Sequence, residues 1–384
     1  MLLVGYAVIF GSFLRCVVVV YILLIIRQFM RIGVPREILP GESRVGLLPH
    51  AVGALVAQGH EVWVQSHAGE LCGVADAAYS EAGARVVADL NALYHAAELI
   101  VKVKEPQAEE VALLRADHIV FGFLHLAAHP HLLQGLGSAG CMAVAYESIH
   151  ETDGDLPILA PMSRIAGRLA VQMGAYHLLQ PNGGKGLLLG AATGGEVGRV
   201  VVLGCGEAGR AAVAAAVELG ARVTALDIKP AILDELLDEY GGAIDVRLST
   251  DAAIAVAVAE ADLLIGAVLV PDARAPILVR REHVRQMEAG SVIVDIAIDQ
   301  GGCVESSRPT THAAPSFIEE GVVHCCVANL PAAVARTATQ ELVAVSLPYV
   351  QRIASLGRRG VLRDPVLSAA VNVMQGQVMN DALQ

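Results

Sequence analysis

The sequence predicts an α/β protein of two domains, and three observations point to it. The chain has 384 residues, 54% of them hydrophobic, more than one compact core usually holds and ample for two. After Met30, short apolar runs alternate with helical stretches, the pattern of a mostly parallel sheet covered by helices. Further on, VVVLGCGEAGRAAVAAAVELGARVTALDIK, Val200 to Lys229, reads as strand, glycine turn, helix, strand and acid.

Composition narrows the functions available. Asp and Glu number 39 against 27 Lys and Arg, a formal charge of -12, and aromatic residues make up only 4%, so a nucleic-acid partner is not expected. The seven cysteines form no CxxC pair and no disulfide framework, which predicts a reducing compartment and no metal site.

The leading residues 1–29 differ from the rest. Between Leu2 and Ile26 only Arg15 is charged, and Cys16 to Ile26 is uninterrupted, so the run is long enough to span a bilayer. It makes a poor signal peptide, with no basic residue ahead of the apolar region and no small-residue cleavage site after it. A membrane anchor and a misplaced start codon both fit; the second is the expectation, because Met30 opens a self-sufficient globular pattern.

From Met30 the expected elements run in order: a strand at RIGVP, a helix near His50 to Gln58, a strand at EVWVQ, a helix around Ala75 to Ala84, and a strand in ELIVKVK. Pro157 and Pro161 punctuate DGDLPILAPMS and mark a domain boundary, followed by a long helix, SRIAGRLAVQMGAYHLL. Gly183 to Gly198 is a glycine-rich loop, and DLLIGAV and SVIVDIA are further strands. A helical tail is expected from about Thr337 to the C-terminus.

The glycine turn predicts a dinucleotide site. Val200 to Leu203 is a buried strand; Gly204, Gly206 and Gly209 permit a tight turn, close approach of a pyrophosphate, and close helix–strand contact. Asp227 ends the next strand, where its carboxylate accepts from both ribose hydroxyls and repels a 2′-phosphate, favouring NAD over NADP; Lys229 clouds that preference slightly.

Six polar residues in four segments stand out. Lys102 and Lys104 in LIVKVKEP, two apart and so expected on one strand face, suggest an anionic or carbonyl-bearing substrate, or a solvated strand end. His125 ends the apolar run VFGFLH. Asp295 and Asp299 lie in IVDIAIDQGG at a strand's C-terminal end, where one of them could simply cap a turn. Arg44 sits in the polar loop GESRVGLLP, a setting usually at the surface.

Together these segments resemble NAD-dependent L-alanine dehydrogenase. MRIGVPREILPGESRVGLLP, VKVKEP, FGFLHLAA, LPILAPMSRIAGRLA, GCGEAG, ADLLIGAVLVP, VDIAIDQGGCVESSRPTTH and VANLPA look like its signature segments, in its order, over about 350 residues. The resemblance implies a substrate domain from both chain ends (30–158 and 335–384), a Rossmann NAD-binding domain (159–334) inserted between them, and a cytoplasmic homohexamer acting on L-alanine, pyruvate and ammonia. It implies that Arg44 and Lys104 hold the substrate carboxylate and carbonyl oxygen, and that His125 and Asp299 are the acid–base pair. Met162 and Asn329 would contact substrate, and Ser163 the cofactor.

The chain departs from that pattern in three places. Arg164 stands where the family more often has an acidic residue, GAATGG replaces a loop usually containing proline, and Gly122 stands where larger residues are common. Two rival functions remain open, the NAD-binding component of a proton-translocating transhydrogenase and a catalytically silent NAD-binding homologue.

Overall fold

The computed structural model describes residues 29–151, 155–270 and 274–383, so the apolar leader up to residue 28 lies outside the described residues. Two sheets organise the rest. The first takes β1 (Arg31–Val34), β2 (Glu61–Gln65), β3 (Arg85–Val87), β4 (Leu99–Val101), β5 (Ile119–Gly122) and β6 (Met142–Ala145), all parallel. Alternate residues face opposite ways: Val101, Phe121 and Val144 join one core cluster, while Ile100, Val120 and Ala143 join another with Leu93 and Leu136. Both faces are thus covered, as a parallel sheet requires.

The helix α1 (Leu159–His177) leads to the second sheet. It starts four residues ahead of the expected SRIAGR, because Pro161 is tolerated in a first turn, where its missing N–H has no intrahelical partner to lose. This puts Met162 and Ser163 on the helix.

The second sheet contains β7 (Arg199–Leu203), β8 (Arg222–Asp227), β9 (Ile244–Leu248), β10 (Leu263–Gly266), β11 (Val292–Asp295), β12 (Ser316–Glu319) and β13 (Val322–Cys325). The order is β12-β13-β11-β10-β7-β8-β9, parallel except for β12. The chain runs outward from β7 to β9 and returns to β10 on the other side of β7. The crevice beyond the carboxyl ends of β7 and β10 is therefore a topological switch point, the place where open α/β sheets bind ligands. The helix α2 (Glu207–Glu218) follows β7 and packs along α1; a Cβ at Gly167 would lie 2.0 Å from the Ala208 carbonyl oxygen, so only glycine permits this approach.

The expected helical tail needs correction. The helix α3 (Ala335–Val361) does form, kinked at Gly357 (φ 59°, ψ 178°), its Leu342, Val350 and Ile353 sharing a core cluster with Val101 and Phe121. The chain then returns through a short helix, Pro365–Ala369, to β14 (Val371–Met374) and β15 (Gln377–Val378). β14 pairs antiparallel with β6 at the edge of the first sheet, giving the order β15-β14-β6-β5-β4-β1-β2-β3. Gln375 and Gly376, at φ 51° and 81°, turn the hairpin with two left-handed residues. Two-residue hairpin loops favour that geometry, and Gln-Gly is a weak sequence signal for it. Among the described residues no helix is long and apolar enough to cross a membrane.

Candidate active site

The loop after β1 carries Arg44 inward rather than to the surface: the residue is only 3% exposed. Its Nε and Nη2 donate to the two oxygens of Glu42 at 2.8 and 2.6 Å, and its backbone N–H to the same carboxylate at 2.9 Å. Nη2 also donates to Asn329 Oδ1 at 2.9 Å, while Asn329 Nδ2 donates to Glu42 at 2.9 Å. Burial alone would raise the Glu42 pKa, but the Arg44 bonds outweigh it and hold the carboxyl at about 2. Nη1 faces the Met162 sulfur at 3.2 Å, a weak acceptor that leaves this nitrogen available to a stronger one. Arg44, Met162 and Asn329 thus meet where the two sheets adjoin.

Lys102 and Lys104 have different surroundings. β4 ends at Val101, but its alternation carries on: Val103 joins the core cluster of Val101, and Lys102 turns, like Ile100, to the side of Tyr94. Lys102 turns into the interior against Glu110 at 2.6 Å and Glu37 at 3.1 Å, with the Tyr94 hydroxyl donating to Glu110. Lys104 is buried as well, yet among the described residues its ammonium has no hydrogen-bond or ion-pair partner. Its charge acts on His125, Glu147 and Asp299. Packing at Gly122 is tight, since a Cβ would sit 3.0 Å from the Lys102 carbonyl oxygen.

His125 stands just past β5 in left-handed backbone, φ 45° and ψ 42°, and its ring stacks on Phe123. Burial, then the Lys104 charge, hold its pKa well below the ordinary 6.5, so the ring is neutral at pH 7. Asp299 lies in the single turn Ile296–Gln300 after β11. Its side chain is open to the cleft, yet the surrounding protein desolvates it and raises its pKa to about 6, against the opposing pull of Lys104. Asp295 has the bland role: it is fully buried and accepts from the Cys303 and Val304 N–H groups at 3.0 and 3.2 Å, tying down the following loop. No hydrogen bond joins His125 to Asp299, but both lie in the field of Lys104 and Arg44.

The glycine turn has the geometry a dinucleotide needs. Gly204 is left-handed at φ 85°, and a Cβ at Gly209 would strike the Gly204 carbonyl oxygen at 1.8 Å. At Gly206, the N-cap of α2, a Cβ would meet nothing within 4 Å, so the open side of the turn is free for a phosphate. Asp227 ends β8, accepting from the Cys205 N–H at 2.7 Å and the Lys229 N–H at 2.9 Å. Ser163 lies half-buried one residue after Met162.

Sequence reasoning missed Glu42, Glu147 and the Glu37–Lys102–Glu110 cluster. Glu42 and Arg44 are two apart in a loop, where no periodicity signals a pairing. Among the described residues no group of His, Cys, Asp and Glu could hold a metal ion.

Family comparisons match this architecture. The "Alanine dehydrogenase/PNT, N-terminal domain" family matches residues 33–166, and the "Alanine dehydrogenase/PNT, C-terminal domain" family residues 170–381. The chain belongs to the alanine dehydrogenase/PNT family. It is 49% identical over 350 residues to an alanine dehydrogenase of Halomonas elongata, covering 91% of this chain and 94% of that one. A solved L-alanine dehydrogenase superposes with a TM-score of 0.88 at 47% identity, over 92% of this chain and 98% of the other. A transhydrogenase from Sinorhizobium meliloti superposes at 0.78 and 25% identity, over 92% and 99%. Within this family frame, the unusual Arg164 has a local partner: its Nη1 donates to Glu207, the first residue of α2, at 2.8 Å.

Proposed function

We propose that the chain catalyses the NAD-dependent, reversible oxidative deamination of L-alanine to pyruvate and ammonia. The reading rests on the convergence of Arg44, Lys104, His125 and Asp299 on one cleft, in a chain 49% identical to an alanine dehydrogenase over nearly its whole length. The 25% identity to the transhydrogenase makes that the weaker alternative.

The turn at Gly204, Gly206 and Gly209 would hold the pyrophosphate, and Asp227 the adenosine ribose. Bound NAD supplies the hydride acceptor. Arg44, already held along one edge by Glu42, offers Nη1 to the substrate carboxylate. Lys104, a compact unpaired charge, polarises the carbonyl oxygen of pyruvate and steadies the oxygen that forms there in the forward direction. Loss of hydride from Cα leaves an imine; His125, neutral at pH 7, takes at its ring nitrogen the proton of the water that adds to the imine carbon and gives it to the departing ammonia, and the reverse direction runs these transfers backwards. Asp299, ionised above about pH 6, accepts a hydrogen bond from the substrate amine and orients it. Met162, Asn329 and Ser163 line the space between substrate and cofactor.

NADH formation from NAD and L-alanine tests the activity; a chain that binds NAD but forms no NADH would point to the transhydrogenase component or the catalytically silent homologue. The proposed assembly is a cytoplasmic homohexamer, which light scattering on the purified protein tests.

A further inference from the structure

We infer that Glu147 is the positioning residue for His125, holding it in the backbone conformation that aims its ring into the cleft. The inference rests on the proposed role of His125. Glu147 lies in the single turn Tyr146–Ser148 that follows β6, the strand beside β5. Its Oε1 accepts from the His125 N–H at 2.6 Å, and its two oxygens accept from the Leu124 N–H at 3.1 and 3.2 Å. One carboxylate therefore collects the last two backbone donors of the segment leaving β5.

This clasp matters because of what His125 does next. A non-glycine residue at φ 45° carries left-handed strain and persists only where its surroundings over-determine it. At the strand end the Leu124 and His125 N–H groups have no backbone acceptor among the described residues, and Glu147 supplies one to both. With the backbone turned this way, the His125 ring lies parallel to Phe123, 3° between planes and 5.7 Å between centroids. Relaxation to ordinary extended backbone would carry the ring off that stack and away from Lys104. Glu147 accepts from the backbone of His125 and thereby acts through it.

A double-mutant cycle on the full chain separates positioning from general structural support. Glu147→Gln replaces one of the two acceptor oxygens with an NH2 group, which cannot accept. The expected result is a fall in kcat of at least about tenfold with KM for NAD changed less than about twofold, the signature of a group acting at the chemical step. On a His125→Ala background, Glu147→Gln should cost nothing further. The inference is overturned if Glu147→Gln leaves kcat within about twofold, or if its effect multiplies in full on the His125→Ala background. If His125→Ala itself turns over normally, the role assigned to His125 fails and the inference falls with it. Should the glutamine variant not fold, Glu147→Asp, which keeps the charge but withdraws the oxygens, carries the same cycle with the same expected outcomes.

Discussion

Glu42 grips Arg44 along one edge of the guanidinium, two parallel bonds of 2.8 and 2.6 Å, and leaves Nη1 as the nitrogen without a strong acceptor. A flexible arginine would have to be ordered by whatever it binds; this one is already ordered by Glu42. Glu42→Ala should therefore raise KM for pyruvate and also destabilise the fold by about 3–5 kcal/mol, the usual consequence of unpairing a buried charge. The sign with pH follows from the depressed pKa: the stabilising term is complete above the ordinary carboxyl value of 4.5 and is lost as pH falls through about 2. Thermal unfolding from pH 6 to pH 2 checks this; the variant should lose less stability on acidification than the wild type.

The two lysines should behave oppositely. Lys102→Met leaves Glu37 and Glu110 buried without their cation, so it should express poorly or melt well below the wild type. Lys104→Met removes a charge that has no partner among the described residues, so it should fold normally and lose turnover by about a hundredfold or more. Circular dichroism melts alongside steady-state kinetics separate the two outcomes.

His125→Ala and Asp299→Asn should each lower turnover at least about a hundredfold while leaving NAD affinity intact. Asp299 keeps its proton up to about pH 6, so kcat/KM for L-alanine should rise with pH through that value. Asp299→Asn should abolish that acidic limb. An unchanged limb in the variant would assign it to another group.

Asp227 joins the glycine turn to β8 through the Cys205 N–H, and the proposed cofactor site sets the adenosine ribose beside it. Asp227→Ala should raise KM for NAD by about tenfold or more, roughly 1.4 kcal/mol, and narrow the preference for NAD over NADP. Kinetics with both cofactors give the answer; efficient use of NADP by the unmodified chain would contradict the assignment.

Arg164 neutralises Glu207 at the phosphate end of α2. Arg164→Ala should raise KM for NAD modestly, by about two- to fivefold, because exposed pairs are worth about 0–1 kcal/mol. The effect should shrink at high salt and vanish when Glu207→Ala is added. A large, salt-independent effect would mean that Arg164 contacts the cofactor directly.

Local sequence determined what depends on neighbours along the chain. The run Val200 to Leu203 is buried because four apolar residues in a row suit a strand covered on both faces, and the glycines after it have conformations that few other residues adopt. The strand–turn–helix–strand unit was legible for that reason, and so was Asp227, whose place follows from the length of one such unit. His125 and Asp299 were visible as polar residues at the ends of apolar runs.

Only the tertiary structure decided which of two similar neighbours faces the cleft. Lys102 and Lys104 differ because the first finds Glu37 and Glu110 in the interior, and Asp295 and Asp299 differ because the first is tied to the loop at Cys303; neither fact is written in local periodicity. The clasp of Glu147 on His125 joins residues from the ends of adjacent strands, and Asn329 reaches Arg44 across 285 residues. The closing hairpin fails local reading in the same way: β14 is only four residues long and gains its stability from β6, which lies more than two hundred residues earlier. Short-range pattern encodes what a segment prefers, whereas burial and partner supply come from the fold, and these set whether a charged side chain supports the structure or serves the chemistry.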